Sequence, residues 1–400
     1  MIGPKAGYSL QDSARISTGR GALWALLFGN LIIGTGVLLP AGQLTAIMTD
    51  FTLTPARAGL LIFVGGLTVG IGAPVLAWAT ASIDRRLLLM GGLALYAAGH
   101  ALSALASDFN LLLGLRAVTI VGAAIFTPQA AATVGLIVPP DRRAGAIAFI
   151  FIGWSLASVA GIPLGNLLGE HVGWRATCMI MALASAAVAL AVYTVLGKGL
   201  RVSPIRLATW RSVFASPALL VVLLVTLLSM SGQFTLFSYV TPVLKTAYGA
   251  SPEAIAFAFL LVGATGVAGN YAAARLAAPL GVELAIFLLL AAIAAGLAVI
   301  AIFFGAYAAF IAGGCLWGLG SFASNSLQQS RLVALAPTLA PATVALNTSV
   351  VYLGQSLGSA TGGAIIAHGP SPAMAWAGSA FLAVAMGLSV LVKGPASRPP

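Results

Sequence analysis

The sequence predicts an all-α polytopic membrane protein, with twelve transmembrane helices in two pseudo-symmetric six-helix bundles. Three observations predict it. Of 400 residues, 60% are hydrophobic and only 7% charged, with mean hydropathy +1.05. Soluble domains carry about 25% charged residues, so this chain lacks the polar surface that a soluble fold of its length needs. Twelve mostly apolar stretches recur along it, each of about 20 residues or more, the length at which a helix crosses the hydrocarbon core. They fall six and six about one long polar gap, and the fifth stretch of each six carries the same glycine spacing.

The spans follow in order. A polar segment, 1–20, holds Lys5, Arg15 and Arg20 and precedes span 1 at 21–47. That run is longer than a signal-peptide core and reads as a retained helix. Spans 2 to 6, at 57–80, 87–107, 109–138, 144–168 and 175–197, complete an N-terminal bundle over 21–197. The gap 198–216 holds Lys198, Arg201, Pro204, Arg206 and Arg211 and reads as a basic linker. Spans 7 to 12, at 217–243, 254–277, 282–304, 306–334, 341–367 and 373–393, form a C-terminal bundle over 217–393, with a tail at 394–400. At these lengths only helices satisfy their own backbone groups inside a bilayer.

Charge sets the orientation. The net charge of +11 would suggest nucleic acid on a soluble chain. Here the basic residues sit in short loops, which points to the positive-inside rule and away from a nucleic-acid partner. One side collects Lys5, Arg15, Arg20, Arg85, Arg86, Arg142, Arg143, Lys198, Arg201, Arg206, Arg211, Arg275, Arg331, Lys393 and Arg398; the other has Arg57, Arg175 and Lys245. The first side is expected to be cytoplasmic, with both termini, in a bacterial inner membrane. Cys178 and Cys315 stand alone in apolar runs, so neither a disulfide frame nor a metal site is expected. No nucleophile elbow and no phosphate-binding loop is visible, so neither catalysis nor a cofactor is expected.

The chemistry-bearing residues are few. Arg116 is the one charge well inside an apolar run. Such a charge costs about 2.5–3.5 kcal/mol on insertion scales, so one that persists faces a cavity or a partner. It lies some turns into span 4, about 10 Å from the surface at 1.5 Å per residue. Three roles are open for it: bracing carbonyls or helix ends, neighbouring a coupling pathway, or binding an anionic substrate group. All eight acids fall at span ends or in loops. Asp50 is the nearest to Arg116, and His100 is the other titratable group within a run. Asp50, His100 and Arg116 are therefore the coupling candidates, although a helix-end acid and a structural histidine are the plainer readings. Polar and aromatic residues interrupt several spans at the depth where the bundles should meet: Asn30, Thr35, Phe126, Gln129, Trp154, Gln233, Phe237, Trp317, Asn325, Gln328, Tyr352 and Gln355. With Arg116 they outline an uncharged pocket with aromatic walls, suited to a neutral or amphipathic organic molecule.

Small residues recur four apart in span 5 (Gly153, Ala157, Gly161, Gly165, Gly169) and in span 11 (Gly354, Gly358, Gly362). This spacing puts them on one helix face, where a neighbouring backbone can come close. In span 4, Arg116, Gly122 and Pro128 lead to Pro139–Pro140–Asp141–Arg142–Arg143. In span 5, Gly161–Ile162–Pro163–Leu164–Gly165 precedes Gly173–Trp174–Arg175. Tyr239, Pro242, the run from Gln328 to Pro337, Asn347, Gly354 and Gly358 follow. In this order the chain resembles the major facilitator superfamily, in particular its twelve-span drug and sugar efflux branch. The resemblance implies alternating access by a monomer, with spans 1, 4, 7 and 10 lining the cavity and spans 2, 5, 8 and 11 forming the moving seam. Asp84, Arg85, Arg86, Gly153, Gly161, Pro163, Gly165, Gly354, Gly358 and Gly362 are the seam residues it implies. It also implies export of drug- or sugar-like cargo with protons moving inward. The chain departs from the branch at Ala81, where the superfamily carries an Asp, and at Val37, where a Glu is common after Gly–Thr. The missing mid-membrane carboxylate keeps an alternative open: an uncoupled facilitator or importer.

Overall fold

The structure, a computed structural model, describes residues 10–139, 142–201 and 207–392. Lys5, Pro140, Asp141, Pro204, Arg206 and the stretch from Lys393 lie outside the described residues. The spans are Leu10–Phe51, Pro55–Ala79, Arg85–Ala104, Phe109–Ile137, Gly145–His171 and Trp174–Val195 in the first half. In the second half they are Pro217–Ala247, Pro252–Leu280, Val282–Ile302, Tyr307–Leu335, Ala340–Ile366 and Ala373–Leu391. Among the described residues, 11 of these helices are long and apolar enough to cross a membrane. Span 11 is not among them: its 27 residues include Thr343, Asn347, Ser349, Gln355, Ser356 and Ser359. Its polar side is covered by spans 2 and 7, so the helix is buried between other helices rather than presented all round to lipid.

Local chemistry ends the helices where loops begin. Asp108 caps span 4 by accepting from the N–H groups of Asn110 and Leu111, and Asp84 caps span 3 through that of Arg86. Such caps satisfy amides that a helix start leaves unpaired. Prolines break regularity inside the spans. Span 7, read as one run, is two helices, Pro217–Phe237 and Val240–Ala247. Pro242 has no N–H for the carbonyl four residues back, at Ser238, where the break falls. Span 5 holds a π-helical turn, Ala157–Gly161, just before Pro163. The turn relieves the clash that a proline ring makes with the preceding turn. The linker contains a helix, Leu207–Phe214.

The two halves pack alike. In the first, span 1 lies on spans 5 and 6, span 2 on 4, and span 3 on 4 and 6. In the second, span 7 lies on 11 and 12, span 8 on 10, and span 9 on 10 and 12. Adding six to each span of the first set reproduces the second. Between the halves, span 2 packs on 11 and span 5 on 8, a pair related by the same shift. Large apolar side chains such as Trp24, Ile71, Val75, Trp78, Leu105, Leu183 and Leu190 face outward. Only lipid makes such a surface inexpensive.

The glycine stripes sit elsewhere than the resemblance implies. A methyl at Gly153, Gly161 or Gly165 would meet Leu27, Thr35 or Leu39 of span 1, within 2.6 Å in each case. At Gly354, Gly358 or Gly362 it would meet the carbonyls of Leu227, Ser231 or Thr235 of span 7, within 2.5 Å. Both stripes thus bind a fifth span to the first span of its own half. Pro163 stays in the same role, shaping span 5 from within. Asp84, Arg85 and Arg86 also act inside the first half. Arg85 is buried, donating to Gln129 and to the Ala81 carbonyl, each at 2.7 Å. Asp84 accepts from the N–H of Gly199, and the Arg86 guanidinium lies 4.0 Å over the Tyr193 ring. These three pin the loop between spans 2 and 3 to span 4, span 6 and the start of the linker.

The contact between halves is made by other residues. A methyl at Gly66 of span 2 would lie 2.5 Å from Ser356 Oγ and 2.6 Å from the Tyr352 carbonyl oxygen of span 11. One at Gly70 would meet Leu353 at 2.6 Å, and one at Gly263 of span 8 the Ser158 carbonyl of the π turn at 2.7 Å. Hydrogen bonds cross beside them: Ser356 to the Phe63 carbonyl (2.8 Å), Ser359 to that of Gly59 (3.1 Å), Thr241 to that of Ala41 (2.6 Å), and Asn166 to that of Pro252 (2.9 Å). Lys245 and Glu170 pair at 3.3 Å. All but the Gly70 contact, just past the middle of span 2, lie between mid-span and the end that carries Asp50, so the halves are closed against each other at that end.

Candidate functional site

Arg116 sits where a proline interrupts the backbone bonding of span 1. Pro40 lies inside the span 1 helix and lacks the N–H that would bond the Gly36 carbonyl. Arg116 fills that place: Nη1 donates to Gly36 O at 2.9 Å and Nη2 to Val37 O at 2.8 Å. The side chain is 6% exposed. Among the described residues no carboxylate pairs with it. A buried charge needs compensation, and here two carbonyl dipoles supply part of it. Of the three roles open at the sequence level, bracing of carbonyls is thus present in the geometry.

Two cavities meet at this guanidinium. The larger, about 40 Å³, is lined by Gly36, Gln43, His100, Ser103, Arg116 and Thr119, with Trp174 and Cys178 toward the Asp50 end. By its size it holds about three waters. The smaller, about 10 Å³, is lined by Val37, Gly65, Arg116, Phe234, Phe237 and Gln355 among others, so both halves contribute walls. His100 is 4% exposed, and its Nε2 has no hydrogen-bond partner. Its ring meets Tyr96 edge-on at 4.6 Å, and the Tyr96 hydroxyl donates to the Ile33 carbonyl at 3.1 Å. Gly36 has to be glycine for this: a methyl there would lie 2.3 Å from Tyr96 Oη and 2.8 Å from His100 Nε2. Asp50 is further out and half-exposed. It accepts from Trp174 Nε1 at 3.1 Å and pairs with Arg175, which also donates to the Ala106 carbonyl.

The pocket residues divide into two groups. Several are helix ties within a half. Asn30 is fully buried and donates to the Ile150 carbonyl at 3.1 Å. Thr35 packs on Gly161, Gln129 holds Arg85, and Phe126 is core, its ring filling the space a side chain at Gly29 would take. Phe126 thus packs between spans 1 and 4, and Asn30 ties span 1 to span 5 with its Oδ1 left unpartnered. Trp154 donates to Thr127 at 3.4 Å and lies against Gly34. In the second half Gln233 is a hub, accepting from Trp317 Nε1 at 3.1 Å and Ser321 Oγ at 2.6 Å. Asn347 donates to Asn325 at 2.9 Å and accepts from Thr226 at 3.1 Å. Gln328 is 2% exposed with both amide atoms unpartnered. The other group meets at the boundary of the halves: Arg116, Phe237 and Gln355 share the smaller cavity, and Tyr352 packs from span 11 onto the first-half core. Phe237 lies 5.0 Å from Phe234 and 5.9 Å from Trp317, forming an aromatic wall.

Comparison with known proteins places this arrangement. The profile of the Major Facilitator Superfamily matches residues 25–359. The chain belongs to that family. The inner membrane transport protein YdhP of Escherichia coli (strain K12) is 30% identical over 350 residues, covering 87% of this chain and 89% of that protein. An uncharacterized MFS-type transporter of Bacillus subtilis (strain 168), YtbD, is 29% identical over 357 residues, covering 86% and 88%. Among solved structures, a bacterial homolog of the human lysosomal transporter Spinster, inward-facing and unoccupied, has a TM-score of 0.73 at 20% identity, covering 94% of each chain. The same protein in its occupied state has a TM-score of 0.71 at 19% identity, covering 97% of each. This major facilitator chain is thus a multi-pass membrane transporter of small solutes. The residues that sequence reasoning missed are the seam residues Gly59, Gly66, Gly70 and Gly263. Gly59, Gly66 and Gly70 are spaced seven and four apart, which puts them on one helical face, and that was the available signal.

Proposed function

We propose that this chain exports small neutral or amphipathic organic molecules across a bacterial inner membrane, driven by protons moving inward, as a monomer working by alternating access. The basic end is then cytoplasmic with both termini, and the two bundles, 21–197 and 217–393, are the moving bodies. One observation carries the coupling claim: His100, buried and unpartnered at Nε2, shares the larger cavity with Arg116, which in turn borders a cavity walled by both halves. A proton on His100 adds charge beside a fixed guanidinium, so binding between the halves and protonation would be linked through Arg116. Substrate contacts fall to Phe237, Tyr352, Gln355 and Arg116, with Gln233, Trp317, Asn325 and Gln328 shaping the second-half wall. The test is flux in proteoliposomes under an imposed pH gradient. Wild-type flux should follow the gradient and that of His100→Gln should not; wild-type flux that ignores both pH gradient and potential refutes coupling.

A second reading, an uncoupled facilitator or importer, is favoured by the bonding of Asp50. That carboxylate is bound by Trp174 and Arg175 at the helix end, away from the cavity that both halves wall. Under this reading Asp50→Asn and His100→Gln both leave the pH dependence of transport unchanged.

A further inference from the structure

We propose that Arg116 is a carboxylate-recognition residue, and that the transported molecule is an amphiphile with one carboxylate and an apolar body. This rests on the transporter reading above and narrows its substrate class. The guanidinium carries five N–H donors, and the two carbonyls of span 1 engage one on each Nη. Nε is buried and has no partner. On the side of span 2 it faces residue 65, a glycine, so no side chain stands between: a methyl there would sit 3.4 Å from Nε and 3.3 Å from Nη2. Gly65 and Arg116 both line the smaller cavity. Nε–H and the second Nη2–H therefore offer the side-on fork that fits the two oxygens of a carboxylate.

The rest of that cavity suits the remainder of such a molecule. Its volume of about 10 Å³ admits one water-sized group, so the closed cavity takes one carboxylate oxygen, and the fork takes both only as the halves part. Phe234 and Phe237 form its second-half wall and continue to Trp317, a surface for an aromatic or alkyl body. Gln355, on span 11, supplies an amide to the same space. No acid of the protein competes, because none among the described residues pairs with Arg116. A bound carboxylate would complete the charge balance that the two carbonyls begin. It would also touch both halves at once, so binding would be felt by the alternating equilibrium.

The experiment uses the full chain in lipid nanodiscs, with calorimetry and thermal unfolding as readouts. The probes are matched pairs: benzoate with benzamide, cinnamate with cinnamamide, octanoate with octanamide. A charge-assisted bond of about 1.5–3 kcal/mol corresponds to at least about tenfold in Kd. At least one acid should therefore bind about tenfold or more tightly than its amide, and Arg116→Gln should abolish that preference. Because Arg116→Gln also uncovers the Gly36 carbonyl and can unfold the protein, Gln355→Glu is the second variant. It places a carboxylate of the protein in the cavity, and the preference for acids should vanish while the fold persists. If no acid of the series outbinds its amide, or if the preference survives in a folded Arg116→Gln or Gln355→Glu protein, the inference is overturned. Flux separates it from the reading beneath it. Transport of neutral solutes without carboxylate preference keeps the transporter and removes this inference. Carboxylate binding without flux keeps Arg116 as a carboxylate site but overturns both the transport reading and the claim that the bound molecule is the cargo.

Discussion

Gly66→Ala should open the Asp50 end without unfolding either half. The added methyl would lie 2.6 Å from the Tyr352 carbonyl oxygen and 2.5 Å from Ser356 Oγ. The first is backbone and cannot swing aside, so the clash is relieved only by separating span 2 from span 11. Overpacking of this kind costs about 1–3 kcal/mol. At 1.4 kcal/mol per factor of ten, that shifts the closed-to-open ratio by about 5- to 150-fold. Spin labels at Leu105→Cys and Ile302→Cys report it, since both residues are exposed at that end and lie on opposite halves; Cys178 and Cys315 are replaced by Ala first. The distance distribution should gain a longer component. Gly358→Ala is the contrast: its methyl would meet the Ser231 carbonyl at 2.3 Å inside one half. Opening cannot relieve that, so its cost should appear as a lower Tm. Equal loss of Tm in both variants, or an unchanged distance in folded Gly66→Ala, would refute the assignment of span 2 to the seam.

Other outcomes follow from the same geometry. Arg116→Lys replaces a planar fork by a point charge, so at least one span 1 carbonyl loses its donor; thermal unfolding in detergent should report a loss of about 1.5–3 kcal/mol, partly recovered by Pro40→Ala, which supplies an N–H to Gly36 O. Asn347→Ala removes the donor to Asn325 and the acceptor of Thr226 in a buried triad, and should cost about 1–3 kcal/mol by the same assay. Glu170→Gln breaks a half-exposed pair with Lys245, and such pairs contribute at most about 1 kcal/mol. Its effect on the labelled distance should therefore be smaller than that of Gly66→Ala and should disappear in high salt.

Much of the architecture was legible because the bilayer leaves few alternatives. Eleven of the spans follow from apolar length, and the likeness of the halves from spacing. What was not legible was which neighbour each face meets. Asn30, Gln129 and Phe126 read as pocket residues because a polar or aromatic side chain in a span needs a reason, and a sequence cannot say whether the reason is a ligand or another helix. In these three it is another helix: the Ile150 carbonyl, the Arg85 guanidinium and the face of Gly29. Span 11 carries the same ambiguity, since its polar residues lower its hydropathy while tying it to its neighbours.

The glycine stripes argue a more general point. Gly153, Gly161 and Gly165, and Gly354, Gly358 and Gly362, are the strongest repeated signal in the chain, and both stripes weld a fifth span to the first span of its own half. Helices packed that closely are hard to part and rejoin in every cycle, because the dispersion attraction along the whole row would be lost at once. The surfaces that part under the proposed alternating access are built differently. Span 2 offers glycines at 59, 66 and 70, and span 11 answers with Ser356 and Ser359, whose hydroxyls bond carbonyls of the other half. When the seam opens, the Ser356 hydroxyl can turn back to the Tyr352 carbonyl of its own helix, an acceptor already 3.2 Å away. Opening then leaves no stranded donor there, which keeps the two states of the seam close in energy, as alternating access requires.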